Sequence, residues 1–293
     1  MTTMSATREA SGRGRRRGLR ELALTAAVYL AYEISRVIVQ GRRSSAFGNA
    51  ARLLRLERIS GIAWERTVNG LVSAHQVLAV SADYMYATLH YLVTPLVLVW
   101  LWRRHRAAYP RARSTLMLAT LIGLVTITLL PVAPPRMLPG FVDTMADYAQ
   151  FGWWDTDASA PRGVEGVTNE IAAMPSLHVG WALWCGWQLA RHARRRLVRL
   201  LGALYPVATS VVVIGTANHY VLDVLGGVAV IGIAATATLA VTAAVARRRR
   251  PRAIDLTALP AQHDPSRAGP VAATADSTAA ESVVIPVAPR ARS

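Results

Sequence analysis

Residues 218–246 read NHYVLDVLGGVAVIGIAATATLAVTAAVA, a short polar segment followed by an apolar run that is long enough to cross a membrane as a helix. Asp223 is the only charged residue in the run from 221 to 246. A second apolar stretch, about forty residues earlier, also begins with a polar segment, PSLH at residues 175–178. Ionisable side chains inside a membrane are costly unless they have a partner or a function, so both polar segments are candidates for a functional site.

The rest of the chain has the composition of a polytopic membrane protein. Of its 293 residues 53% are hydrophobic, the mean hydropathy is +0.28, and the apolar residues are gathered into long runs. We therefore predict an all-α fold, a six-transmembrane-helix bundle. The predicted helices span residues 19–39, 83–102, 114–132, 176–191, 197–217 and 221–246.

The segments outside these helices differ in composition from the membrane domain, 19–246. Residues 1–18 are rich in Arg, Gly and Ser, which predicts a disordered basic cytoplasmic arm. Residues 247–293 begin with an Arg cluster and continue with Ala, Pro, Thr and Ser, which predicts a basic stop followed by a disordered cytoplasmic tail. Residues 40–82 contain no run of spanning length and are predicted to form helix at the membrane interface or over the bundle.

The basic residues are all arginines, and their positions predict the orientation in the cell membrane. Segments 103–113, 191–199 and 247–252 contain five Arg each. In a six-helix topology they lie on the side of the N-terminus, which the positive-inside rule assigns to the cytoplasm. The loop 133–175, with two Arg and six acidic residues, then lies on the extracytoplasmic face. Residues 40–82, with six Arg and two Glu, are the exception to this pattern, which an interfacial helix that pairs with lipid phosphates would explain. Topology thus accounts for the net charge of +16, so membrane lipids rather than nucleic acid are the expected partners.

The predicted topology places four polar residues of interest on the extracytoplasmic face: Arg136, His178, His219 and Asp223. His219 and Asp223 are four residues apart, which on a helix puts both side chains on one face. A carboxylate there can accept a hydrogen bond from one imidazole nitrogen and leave the other nitrogen as a nucleophile or base.

Three further features suit a bound phosphate. Ser176 follows a proline at the start of a predicted helix, where free backbone amides and the helix dipole favour an anion. His178, one turn into that helix, is placed to protonate a leaving-group oxygen. Arg136 follows a proline-rich segment and could clamp phosphate oxygens. We count Arg136, Ser176 and Asn218 as the candidate phosphate-binding residues.

The two polar segments resemble the second and third signature motifs of the type 2 phosphatidic acid phosphatase superfamily, the membrane lipid phosphate phosphatases. The resemblance covers roughly residues 55–245. The proline-rich segment before Arg136 and the NHY at 218–220 are most similar to the inositolphosphotransferase branch, which includes inositol phosphorylceramide synthase. The resemblance implies that His219 forms a phosphohistidine, that Asp223 orients it, and that His178 is the general acid.

The same resemblance implies an integral membrane phosphotransferase or phosphoric ester hydrolase. Its substrate would be a lipid phosphate or phosphodiester, and its acceptor a hydroxyl group of water or a polyol. No cofactor and no metal ion are expected, because Arg136 and helix amides would hold the phosphate.

The motifs depart from the family pattern at two cations. The superfamily has a Lys where this chain has Leu129, and a Ser-Arg pair where it has Val212 and Val213. Either Arg136, helix amides and Arg162 are enough to bind a terminal phosphate, or the site binds a phosphodiester, which carries less charge than a terminal phosphate. The second option fits the transferase branch.

Alternatives remain open from the sequence. The enzyme could be a plain phosphatidic acid or polyprenyl phosphate phosphatase, and the two histidines could instead form a proton relay in a proton-coupled transporter. His178, His219 and Asp223 could also bind a metal ion. Two supporting roles are predicted: that of His90, which falls inside the second predicted helix, and that of a face of Glu57, Glu65 and Asn69, which supports the outer loop.

Overall fold

The structure, a computed structural model, describes residues 2–154 and 171–249, with side chains from Gly18 to Arg248. This part of the chain is helical and contains no strand, which confirms the predicted all-α class. Its α-helices are α1 (Thr2–Gln40), α2 (Arg43–Ile59), α3 (Glu65–Ser73), α4 (Gln76–Arg104), α5 (Tyr109–Leu129), α6 (Thr144–Asp147), α7 (Leu177–His192), α8 (Arg196–Gly215) and α9 (Val221–Arg249).

Among the described residues, five helices are long and apolar enough to cross a membrane. They provide the candidate spans Gly18–Gln40, Gln76–Arg104, Tyr109–Leu129, Arg196–Gly215 and Val221–Arg248. The sixth predicted crossing corresponds to α7, which has 16 residues. At about 1.5 Å per residue this helix is roughly 24 Å long, shorter than a hydrocarbon core of about 30 Å. The count of six crossings therefore stays a prediction.

Helix α7 is nevertheless the central helix of the bundle. It packs against α4, α5, α8 and α9, and its inner face is made of small residues and a buried Trp184. The chain enters it through residues 171–176, a non-helical segment in which Ile171, Ala173 and Ser176 are buried. Non-helical backbone is tolerated at membrane depth where protein surrounds it. Because residues 171–176 are largely buried, they can precede the short α7 without a helical conformation.

Glycines allow α7 and α9 to cross at close range. A β-carbon on Gly227 of α9 would lie 2.3 Å from the carbonyl oxygen of Ser176, and one on Gly180 of α7 would lie 3.4 Å from the carbonyl oxygen of Gly227. The crossing brings the beginnings of the two helices together. These beginnings carry the two polar segments that the sequence singled out.

The first and last helices extend beyond the predicted membrane domain. Helix α1 begins at Thr2, and the disordered arm predicted for residues 1–18 stays a prediction. Helix α9 ends at Arg249, and the rest of the segment 247–293, predicted as a basic stop and a tail, lies outside the described residues.

Replacing Gly227 by Ala should lower both the unfolding temperature and the activity of the purified protein. The added methyl group would meet a backbone carbonyl at 2.3 Å, which cannot move aside as a flexible side chain does. Overpacking of this kind costs about 1–3 kcal/mol.

Gly232→Ala is the matched control, because it lies on the same helix and its β-carbon would have no atom within 4 Å. Alanine stabilises a helix by about 1 kcal/mol relative to glycine, so this variant should unfold at the same or a higher temperature. Thermal unfolding in detergent compares the two, and equal behaviour would contradict the close crossing.

Candidate active site

Three segments outside the α-helices meet at one end of the bundle and carry four of the six predicted site residues, while His178 and Asp223 lie in the helices that follow two of them. The three segments are residues 131–136 after α5, 171–176 before α7, and 216–220 between α8 and α9. The first two run parallel to each other through a bridge between Val132 and Ala172. The site is therefore built from segments that are far apart in the sequence.

Backbone hydrogen bonds connect these segments. The amide of Arg136 donates to the carbonyl oxygen of Ala217 at 2.8 Å, and the amide of Ser176 donates to the carbonyl oxygen of Asp223 at 2.9 Å. Ala217 has a φ of +53°, a left-handed conformation that a β-carbon disfavours. The hydrogen bond from Arg136 to Ala217 therefore stabilises the turn that precedes His219.

His219 is buried, and its Nδ1 lies 2.8 Å from the carbonyl oxygen of Ala173. A carbonyl oxygen can only accept a hydrogen bond, so Nδ1 carries the proton. The neutral ring then has its lone pair on Nε2. Nε2 is therefore the atom available for nucleophilic attack.

Asp223 lies beside the same nitrogen of His219. Its Oδ2 is 3.4 Å from Nδ1 and accepts a hydrogen bond from the amide of Tyr220 at 2.8 Å. Asp223 is fully buried, and its Oδ1 has no hydrogen-bond partner in the described part of the chain. The resemblance implied that Asp223 orients the His219 ring, and this role stays a prediction. The Ala173 carbonyl is the nearer hydrogen-bond acceptor of Nδ1. A carboxylate at 3.4 Å from Nδ1 stabilises positive charge on the imidazole.

Two glutamates from the segment before α4 bind the start of α9. Oε1 of Glu57 accepts from the amide of Leu222 at 2.7 Å, and Oε1 of Glu65 accepts from the amide of Val221 at 2.9 Å. Both glutamates are fully buried. Burial, and to a smaller degree the neighbouring carboxyl of Glu65, raises the pKa of Glu57 to about 9 against the opposing effect of the Leu222 amide.

The support predicted for the outer loop is present at Asn69. Its side-chain amide donates to the carbonyl oxygens of Val142 and Gly215 at 3.0 and 2.8 Å, and its Oδ1 accepts from the amide of Val142 at 2.9 Å. Asn69 thus joins the loop after α5 to the end of α8. Glu57 and Glu65 differ from the prediction, because their contacts are with α9 rather than with the loop.

His178 lies in the first turn of α7, and its ring centroid is 5.7 Å from that of His219. Tyr86 stacks on it at 4.6 Å, and His90 meets it edge-on at 4.4 Å. His90 therefore lies beside the site, whereas the sequence assigned it only a supporting role because it falls inside the second predicted helix. Tyr86 was not predicted, although its position four residues before His90 puts both on one face of α4 and could have revealed it.

Arg136 is held by two partners. Its Nε donates to Oδ1 of Asn218 at 3.0 Å, and its Nη1 lies 3.4 Å from Oδ2 of Asp143. The amide of Asn218 donates to Thr216 as well, so Asn218 fixes the guanidinium group in position. Asp143 neutralises part of the charge that Arg136 could offer to a phosphate.

Ser176 is fully buried, and its hydroxyl oxygen accepts a hydrogen bond from the amide of Val179 at 3.4 Å. The side chain therefore caps α7, as its position after Pro175 suggested. A role in phosphate binding stays a prediction for Ser176, as it does for Asn218.

The two positions where superfamily cations are missing face different surroundings. Leu129 is 71% exposed at the end of α5. Val213 is buried and, with Tyr86, His90 and His178, lines a small cavity between α4, α7 and α8. Apolar surface thus takes the place of a cation beside His178. Arg162 lies in 155–170, outside the described residues.

In the described ranges, 2–154 and 171–249, no group of three or more His, Cys, Asp or Glu side chains could hold a metal ion. The metal site considered for His178, His219 and Asp223 therefore gains no support from the geometry.

A family model described as the PAP2 superfamily matches residues 51–237, and this range contains every residue of the site. The chain belongs to the PAP2 superfamily. A search of curated proteins and a search of solved structures each found no match. PAP2 membership confirms the superfamily resemblance and supports a phosphatase-type enzyme with a lipid phosphate substrate in a membrane.

The stability of this PAP2 protein should fall as the pH rises from about 5 to about 9. Glu57 is protonated in the folded chain up to a pKa of about 9, whereas in the unfolded chain its pKa is about 4.5. Between these values the folded state binds more protons than the unfolded state, so raising the pH favours unfolding.

Glu57→Gln should reduce this pH dependence, because Gln stays neutral and its carbonyl oxygen can still accept from Leu222. Unfolding temperatures at pH 6 and pH 9 measure the effect. Asp147→Asn, which removes an exposed carboxylate, serves as the control and should leave the dependence unchanged. Identical pH slopes for wild type and Glu57→Gln would contradict a protonated Glu57.

Proposed function

We propose that the protein is a lipid-phosphate phosphotransferase or phosphatase that acts through a phosphohistidine on His219 at the extracytoplasmic face. The observation that carries the proposal is the 2.8 Å contact between Nδ1 of His219 and the Ala173 carbonyl. It leaves Nε2 unprotonated in a buried ring that lies 5.7 Å from a second histidine. The family match favours an enzyme over a proton-coupled transporter.

The spacing of the two histidines suits phosphoryl transfer. In an in-line displacement the nucleophilic nitrogen approaches phosphorus at about 3 Å, and the acid hydrogen-bonds the leaving oxygen at about 3 Å on the opposite side of the phosphoryl group. The two rings, whose centroids are 5.7 Å apart, are close enough for their nitrogens to lie on the two sides of one phosphoryl group. A phosphoryl group between the two rings could therefore contact both His219 and His178. The aromatic rings of Tyr86 and His90 hold His178 in place for this task.

The reaction consists of two displacements at phosphorus. In the first, Nε2 of His219 forms a bond to phosphorus, the bond to the lipid oxygen breaks, and protonated His178 gives its proton to that oxygen. In the second, neutral His178 takes the proton from the acceptor hydroxyl as its oxygen bonds to phosphorus and the bond to Nε2 breaks. Asp223 stabilises the positive charge that His219 acquires.

The distribution of arginines supports the extracytoplasmic location. The Arg-rich segment 191–199 follows α7, at the end of this helix opposite to His178, and the Arg-rich segment 103–113 follows α4. With α7 counted as a crossing, the positive-inside rule places those segments in the cytoplasm and His178 on the other side.

The charge near Arg136 supports a phosphodiester substrate. Asp143 partly neutralises Arg136, and the two further cations of the superfamily motifs are replaced by Leu129 and Val213. A phosphodiester carries about one negative charge, whereas a terminal phosphate carries nearly two. The weakly positive site therefore matches an inositolphosphotransferase-like enzyme better than a phosphatidic acid phosphatase.

His219→Asn should abolish the phosphoenzyme and leave the fold intact. The asparagine amide can take the place of Nδ1 and donate to the Ala173 carbonyl, but no atom replaces Nε2. The purified protein is incubated with phosphorus-labelled lipid and quenched in base. The measured quantity is the amount of label on the protein that is released by acid. The exposed His75 offers the control His75→Asn, which should label like the wild type. Labelling of His219→Asn at the wild-type level would overturn the assignment of the nucleophile.

The preparation should transfer a phosphoryl-linked headgroup from a lipid to a hydroxyl acceptor faster than it releases phosphate from phosphatidic acid. The physical reason is the low positive charge around Arg136. Initial rates with phosphatidylinositol plus excess hydroxyl acceptor, and with phosphatidic acid alone, give the comparison. Fast, acceptor-independent release of phosphate from phosphatidic acid or a polyprenyl phosphate would establish the plain phosphatase instead.

The variant Asp143→Asn tests whether the charge near Arg136 decides between transfer and hydrolysis. The variant removes the charge that faces Arg136, and its side-chain oxygen can still accept from the Ala146 amide that Asp143 caps. Loss of about 1 kcal/mol of charge interaction should raise hydrolysis of phosphatidic acid relative to transfer by about fivefold. Asp147→Asn, in the same short helix but exposed, should not change the ratio.

A further inference from the structure

A second cavity lies at the end of the bundle opposite to the histidines. It has a volume of about 990 Å³ and is lined by residues of α1, α4, α5 and α9 together with the α4–α5 loop. Thr238, which lines it, is 17 residues from the start of α9, or roughly 26 Å along the helix. The cavity is therefore separate from the site of His219.

Arginines dominate the polar lining of this cavity. Arg20, Arg106, Arg111 and Arg113 face a single acidic residue, Glu21. The carboxylate of Glu21 is occupied, because Arg113 forms an ion pair with it and the Tyr109 hydroxyl donates to it at 2.9 Å. Like charges gathered without counter-charges attract anions.

The other three arginines have no carboxylate partner among residues 18–154 and 171–248. Arg113 itself is 9% exposed, and its Nε has no hydrogen-bond partner among those residues. A buried guanidinium donor without an acceptor is unfavourable, and an anionic ligand with several oxygens would satisfy it. A guanidinium group often forms two parallel hydrogen bonds to two oxygens of one phosphate, so a phosphate group fits this lining well.

The remaining wall of the cavity is apolar and partly exposed on the outside of the bundle. Trp102, Leu118 and Val241 belong to it, and Trp102 and Val241 are 38% and 64% exposed. The helices α1, α4, α5 and α9 each provide a candidate membrane span. A ligand that fills both parts of the cavity must combine a phosphate with an acyl chain.

We propose that this cavity binds an anionic phospholipid, with its headgroup phosphate among Arg20, Arg106 and Arg111 and within reach of Nε of Arg113, and with an acyl chain along Leu118 and Val241. Basic pockets between membrane helices on the cytoplasmic side suit such headgroups, because arginines near the surface attract anionic lipids. The bound lipid would join α1 to α5 and α9 in addition to the ion pair between Glu21 and Arg113.

The test compares lipid binding by two double variants of the full chain in a zwitterionic detergent. Arg106→Gln with Arg111→Gln removes two exposed arginines of the cavity, and Arg194→Gln with Arg195→Gln removes two exposed arginines of the α7–α8 loop at the same end. Native mass spectrometry measures retained phosphatidylglycerol, with phosphatidylcholine as the neutral comparison. Melting temperatures in phosphatidylcholine alone verify that both variants are folded.

The cavity variant should bind phosphatidylglycerol on the order of tenfold more weakly, and the loop variant should bind it like the wild type. Equal weakening in both variants would mean non-specific surface attraction, and no weakening in the cavity variant would also overturn the proposal. Glycerophosphoglycerol, which lacks acyl chains, and inorganic phosphate should not displace the lipid at equal concentration. Displacement by either would identify a site for soluble anions instead.

Discussion

Three consecutive backbone amides at the start of α9 each donate to a buried carboxyl group, and the geometry of the site depends on this arrangement. The pairs are Tyr220 with Asp223, Val221 with Glu65, and Leu222 with Glu57. Free amides at a helix N-terminus must find acceptors where water is excluded, and a carboxyl oxygen is such an acceptor. Because Glu57 belongs to α2 and Glu65 to α3, the same contacts bind the segment before α4 to the helix that follows His219.

The chemistry of the site follows from how firmly its groups are held before any substrate arrives. His219 lies between the Ala173 carbonyl and Asp223, and His178 is packed by aromatic rings from α4. The glycine crossing at Gly227 keeps the two helix beginnings at a fixed separation. Groups that are oriented in advance require little reorganisation in the transition state, which is the main source of catalytic power in phosphoryl transfer.

Arginines are arranged differently around the two candidate sites. In the histidine site Arg136 is paired with Asp143, although residues 40–82 at the same end of the molecule contain six further arginines. In the cavity at the other end, arginines gather with only Glu21 as a counter-charge. The local charge beside the histidines therefore supports the proposed phosphodiester substrate, and the local charge of the cavity supports the proposed anionic lipid.

The sequence by itself determined the helical class, five approximate spans and the proximity of His219 to Asp223, because apolar runs and a spacing of four residues are local properties that the chain displays directly. The proximity of His178 to His219 was predicted from the topology and the motif resemblance. The sequence could not show that the Ala173 carbonyl orients His219, since a backbone carbonyl has no side-chain signature. Nor could it show that Asp143 neutralises Arg136 or that Glu57 caps α9. These contacts join residues that are distant in the chain, or depend on how a loop folds back, and so only the packing of helices and loops in three dimensions decided them.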